Sequence, residues 1–167
     1  METGLTYTST VTVSEENIAA TMGSGDLEVF ATPAMVALME NAAMNAVVGE
    51  LPEGATTVGA MMNTTHIKPS AMGDTVSATA VLKEVAGRKL TFEVHAKDSK
   101  GVIGEGMHVR YIVDREKFMS KLSVAISPWV MIRAPFPSMV RFWRFLSQSP
   151  MCLVWFGFSC SEVVLDM

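Results

Sequence analysis

The stretch VFATPAMVALMENAAMNAVVG, Val29 to Gly49, is the feature that most constrains the fold of this chain. Thr32 suits an N-cap, Pro33 suits the first helical position, and Gly49 followed by Pro52 suits a stop, so the segment predicts a helix from Pro33 to Val48. Met35, Val36, Leu38, Met39, Ala42, Ala43, Met44, Ala46, Val47 and Val48 leave almost no polar face. A helix apolar nearly all round is a buried one. The exception is Glu40, a carboxylate in its middle, which is costly there unless it is hydrogen-bonded or functional. The bland alternative puts Glu40 on one narrow polar stripe with Asn41 and Asn45.

A buried helix needs a sheet to cover it, and the flanking sequence supplies one. Leu5 to Val13 alternates, with Leu5, Tyr7, Ser9, Val11 and Val13 on one side and four threonines on the other, as a half-buried strand does. SEENIAATMGSGDLE reads as a short helical or irregular connection. After the helix come four strand-like runs. TTVGAMMNTTHI groups Val58, Ala60, Met62, Thr64 and His66; DTVSATAVLKEV groups Val76, Ala78, Ala80 and Leu82; KLTFEVHAKD groups Leu90, Phe92, Val94 and Ala96; GVIGEGMHVRYIVD groups Met107, Val109, Tyr111 and Val113. AGR and DSKG have hairpin length. Strand, buried helix and an antiparallel meander make an α+β arrangement resembling the hotdog fold, about five strands wrapped round one central helix.

Chemistry narrows to few residues. His66 shares its face with the apolar set of its strand and points to the helix side, where it is either a satisfied core residue or, beside a carboxylate, an acid/base. Thr32 is explained by capping, and the same helix start offers unpaired amides and a positive dipole end to a developing oxyanion. His95, with Lys89, Thr91, Glu93 and Lys97, and His108, sharing a face with Arg110 opposite the apolar set, are expected at the surface. GVIGEG is not a dinucleotide-binding GxGxxG; glycines within a strand run more often mark a bulge.

The net charge of −4 shows no basic stripe, so no nucleic-acid partner is expected. Cys152 and Cys160 have neither metal nor redox spacing, and no metal or other cofactor is expected. The start METGLTYTSTVTVSEEN lacks the charge cluster and apolar core of a secretory signal, so a cytoplasmic protein is expected. Composition changes near Ser123: every Trp and both Cys lie beyond it, whereas the last Lys is Lys121. Two regions follow, a folded domain over 1–123 and an aromatic, Pro-broken extension over 124–167. Its longest apolar run, Met151 to Cys160, is about half of the ~20 residues a spanning helix needs. SMVRFWRFL would suit an interfacial membrane helix, and the alternative is a non-native, loosely packed or disordered extension.

VFATPAMVALMENAA, then VGAMMNTTHIKPSAMGDTVSATAVLKEVAGRKLTFEVHAKD, then IGEGMHVRYIVDREKF together resemble the fluoroacetyl-CoA thioesterase-like family of hotdog enzymes, over roughly Leu5 to Leu122. The resemblance implies that Thr32, Glu40 and His66 act together in hydrolysis of an acyl-CoA thioester, with Gly59 at the family's small position in the strand before the His. Phe30 and Pro33, on either side of Thr32, join Gly59 as expected substrate-binding residues. GSGDLEVF carries no aromatic lid residue before Val29, so a general short-chain acyl-CoA thioesterase is expected rather than a fluoroacetyl-specific one. The alternative is a hotdog module that binds acyl-CoA without turnover.

Thr32 and Glu40 are eight residues apart, about 12 Å of helical rise, and cannot touch within one chain. If both serve one thioester, the site is shared by a homodimer with antiparallel central helices. Two mechanisms stay open. Either Glu40 is nucleophile or general base with His66 moving the proton and Thr32 holding the oxygen, or Thr32 is the nucleophile with His66 as base and Glu40 orienting it.

Overall fold

The computed structural model describes residues 1–125. The extension beyond Ala125, and with it both readings of its role, lies outside the described residues. The elements run β1 (Thr6–Thr12), α1 (Ala19–Met22), α2 (Thr32–Val47), a 3-10 turn (Val48–Glu50), β2 (Ala55–Thr64), β3 (Thr75–Ala86), β4 (Lys89–Asp98), β5 (Gly101–Asp114) and α3 (Arg115–Ala125). The five strands form one antiparallel sheet in the order β1-β3-β4-β5-β2. The meander is therefore shorter than the sequence suggested, because β2 does not pair with β3. The connection from Thr65 to Asp74 carries the chain across the sheet, leaving β2 at the edge beside β5. Among the described residues no helix is long and apolar enough to cross a membrane.

α2 packs on the concave face. Met35, Met39, Ala42, Ala43 and Val47 are buried against Val76, Ala78, Ala80, Leu82, Leu90, Phe92, Val94 and Ala96, the inward sets expected of β3 and β4. The helix is not covered all round, however. Pro33, Ala37, Asn41, Met44 and Val48 lie one turn apart and form an exposed stripe, with Val48 59% accessible. A second difference is at the start of α2, where Ala31 is the N-cap and Thr32 is already the first helical residue. No side chain caps this helix, so the Thr32 hydroxyl is free for another partner.

β5 departs furthest from expectation. The hairpin begins in simple register, Asp98 opposite Gly101 and Lys97 opposite Val102, which continued would set Phe92 against Met107 and Leu90 against Val109. Instead Ala96 pairs with Gly104, so Ile103 is an extra residue. A one-residue bulge exchanges the two faces of everything that follows. Gly104, Gly106, His108, Arg110 and Ile112 therefore face inward beside Ala96, Val94, Phe92 and Leu90, while Met107, Val109, Tyr111 and Val113 lie on the outer face. A second bulge at Ala60 splits β2: Val58 pairs with Tyr111 on the outer face, Met62 with His108 on the inner one. The expected common face of Val58, Ala60, Met62 and Thr64 is thereby divided.

Candidate active site

The predicted site residues fall into two clusters at separate places on α2. At the helix start, Thr32 Oγ1 lies 2.8 Å from His66 Nδ1. His66 follows the end of β2, where Thr65 and Ile67 donate their amides to the carbonyls of Glu105 and Ile103 and hold the segment straight. Burial pulls the His66 imidazole below its ordinary value of 6.5, opposed in part by the Lys68 backbone, so the ring is neutral at pH 7. A neutral ring with Nδ1 unprotonated accepts the Thr32 proton, the arrangement that activates a hydroxyl nucleophile. Its Nε2 is buried without a hydrogen-bond partner among the described residues.

The Thr32–His66 pair lines a cavity of about 350 Å³ with Phe30, Leu27, Ile67 and Lys68. Phe30 is almost fully buried in its wall, whereas Pro33 is exposed and does not line it. The first intrahelical bond runs from the Met35 amide to the Ala31 carbonyl. The amides of Thr32 and Ala34 precede it and Pro33 has none, so two donors remain at the helix start for an oxygen held there.

The second cluster surrounds Glu40, two turns further on. Its side chain is 42% exposed, not buried as a central helix residue was expected to be, because it flanks the open stripe of α2. Among the described residues no hydrogen bond or ion pair joins it to Thr32 or His66. Its neighbours are residues expected at the surface: His108 is fully buried and Arg110 is 6% exposed, a correction that follows directly from the Ile103 bulge. Glu40 Oε1 is 3.8 Å from His108 Nε2. A Cβ on Gly59 would lie 2.6 Å from Glu40 Oε1, 3.3 Å from His108 Cε1 and 3.8 Å from Arg110 Nη1, so three polar side chains converge over this glycine. Gly59 thus makes room for Glu40.

Arg110 is held firmly. Its Nε donates to Thr57 Oγ1 and its Nη2 to the Thr57 carbonyl, both at 2.9 Å, and its Nη1 is 3.1 Å from His108 Nε2. Burial lowers the guanidinium's proton affinity and the Glu40 charge raises it, and it stays charged. Sequence reasoning passed over both residues because it projected the simple hairpin register through β5. The glycines of GVIGEG, recognised as a bulge signal, were the warning. His95 lies on the outer face opposite Thr79 and Glu105, half-buried.

Comparison with known proteins agrees with this architecture. The model of the FlK family, fluoroacetyl-CoA-specific thioesterase, matches residues 13–116. The chain belongs to that family. It is 41% identical over 95 residues to the fluoroacetyl-CoA thioesterase of Streptantibioticus cattleyicolor, covering 57% of this chain and 68% of the relative. A crystallised mutant form of FlK superposes with a TM-score of 0.70 at 33% identity, covering 75% of this chain and 97% of the other. A thioesterase superfamily member from Thermus thermophilus shares the fold at TM-score 0.69 and 23% identity, over 74% of this chain and 92% of its own. The hotdog fold and the thioesterase class expected from the sequence both hold within this family.

Proposed function

We propose that the protein hydrolyses short-chain acyl-CoA thioesters at a site completed by a homodimer: Thr32 and His66 from one subunit, Glu40 from the other. The observation that carries this is the 2.8 Å contact between Thr32 Oγ1 and His66 Nδ1 at the mouth of a cavity, with no carboxylate among the described residues bonded to either. Thr32 attacks the thioester carbonyl and His66 takes its proton. The helix-start amides hold the developing oxyanion, and collapse expels the CoA thiolate, which leaves as the thiol on receiving the proton from His66. Water then cleaves the acyl-Thr32 ester, with the partner subunit's Glu40 aligning or deprotonating it. Dimerisation is supported by two features without a partner among the described residues, the edge of β2 and the exposed stripe of α2 that carries Met44 and Val48. A mutant form of FlK crystallised with acetyl-CoA supports the choice of a short acyl-CoA. A CoA substrate fits a cytoplasmic setting.

Mixing Thr32→Ala with Glu40→Ala chains tests the shared site. Random pairing rebuilds about a quarter of the sites, so about a quarter of wild-type thiol release should return. No recovery refutes the shared site. Mass spectrometry of a trapped acyl adduct tests the nucleophile: it should sit on Thr32, and an adduct on Glu40 would overturn that assignment.

A further inference from the structure

Among the described residues no hydrogen bond holds Glu40, and the buried charge beside it, Arg110, is itself anchored through a histidine that the mechanism above does not use. His108 Nδ1 lies 2.8 Å from the Met61 carbonyl. A carbonyl only accepts, so Nδ1 carries the proton. The opposite nitrogen, Nε2, lies 3.1 Å from Arg110 Nη1, which only donates, so Nε2 is the bare acceptor. The two contacts together fix one neutral tautomer, and the 3.8 Å separation of Nε2 from Glu40 Oε1 is therefore not an ion pair.

We infer that His108 is a positioning residue: by offering a lone pair to Nη1 it completes the cradle that holds the Arg110 guanidinium in place beside the Glu40 carboxylate over Gly59. Thr57 takes the proton of Nε and one proton of Nη2, which fixes two of the three nitrogens. Without an acceptor at the third, Nη1 would lie buried and unsatisfied, a cost the guanidinium would relieve by turning toward the exposed carboxylate of Glu40 and pulling it from its place. The ladder makes the arrangement possible, because residues i and i+2 of a strand share a face and the bulge at Ile103 turns His108 and Arg110 inward together. Burial holds the His108 imidazole below its ordinary value of 6.5; the Met61 carbonyl and the Glu40 charge oppose it, and the neighbouring Arg110 charge adds to it. Burial and the Arg110 charge favour the neutral ring that an acceptor requires.

This inference rests on the assignment of Glu40 to the site, and two substitutions separate the ring's atoms. His108→Gln retains an acceptor where Nε2 stood, and His108→Asn retains a donor to the Met61 carbonyl but is too short to place an acceptor at Arg110 Nη1. With short acyl-CoA substrates, Gln should keep kcat within about threefold, while Asn should lower kcat by at least about tenfold with KM within about twofold. Equal kcat in the two variants, or a loss confined to KM, would overturn the role. Nitrogen-15 NMR of the wild-type chain reads the ring without any variant: an Nδ1-protonated, neutral His108 at pH 7 is expected, and an Nε2-protonated or charged ring would refute it. If Glu40→Ala kept full activity, the assignment of Glu40 would fail, whereas the NMR result would still decide the state of His108.

Discussion

Gly59→Ala is the sharpest test of how the Glu40 cluster is built. The added methyl would stand 2.6 Å from Glu40 Oε1, where ordinary contact begins at 3.4 Å, so the carboxylate must retreat by about 0.8 Å. His108 Cε1, at 3.3 Å, must yield by about a tenth of that. The carboxylate ends a flexible, 42% exposed side chain, so it can swing into solvent at little cost. Gly59 has no positive φ, and a Gly→Ala change at a compatible position gains about 0.4–1 kcal/mol through the unfolded chain. The melting temperature should therefore move little. Activity should not survive as well, because a displacement approaching 1 Å of a catalytic group costs up to about 100-fold. A loss in kcat of about 30-fold or more is expected in thiol release from a short acyl-CoA. The same substitution made in Glu40→Ala should add nothing, since the group it displaces is gone. Full activity in Gly59→Ala would refute the packing of Glu40 over the glycine. A raised KM at unchanged kcat would return Gly59 to substrate contact.

Two further outcomes follow from the helix start and from the histidines. Thr32 is exposed and is not the N-cap, so Thr32→Val should change stability by less than about 0.5 kcal/mol while abolishing most thiol release, and Thr32→Ser should retain it; a stability loss of about 1 kcal/mol or more in chemical denaturation would mean that the hydroxyl caps α2 after all. His66 and His108 both have folded values below 6.5, so the unfolded chain binds more protons than the folded one as pH falls through this range. Their contribution to stability is complete above about pH 6.5 and is lost as pH drops toward the folded values, so the melting temperature should fall on acidification from neutrality. His108→Gln should shallow that slope; an unchanged slope would show that burial does not depress the ring.

Local signals carried most of the fold. The apolar run of α2 and the alternation of β1, β3 and β4 each report a period that holds over a whole element, and the three strands were placed with the right faces inward, whereas α2, read as buried all round, keeps one exposed stripe. Thr32, Glu40 and His66 stood out as candidates because each interrupts an apolar pattern, and the structure brings Thr32 and His66 together. His108 and Arg110 were not, since their side depends on whether β5 gains one residue near its start, a matter settled by the close approach of Gly104 to the Thr65 carbonyl and Met35 rather than by periodicity. The edge position of β2 was likewise hidden, because strand order depends on where a ten-residue connection lands.

The side assignment of β5 can itself be tested, at Tyr111. In simple register Tyr111 would join Leu90 and Phe92 under α2, and a carboxylate there would be buried without a partner, at a cost of several kcal/mol. In the structure Tyr111 is 40% exposed on the outer face, directly opposite Lys89 on β4 and Val58 on β2. Tyr111→Glu then places an anion across from a lysine, a pairing that contributes about 0.2–1 kcal/mol and offsets part of the lost apolar contact with Val58. A net loss of about 1 kcal/mol or less is expected by urea denaturation, with thiol release intact. Ile112→Glu, one residue on and facing inward, should lose several times as much. The reverse order of the two variants would put Arg110 and His108 back at the surface, and with them would go the support this sheet gives to Glu40.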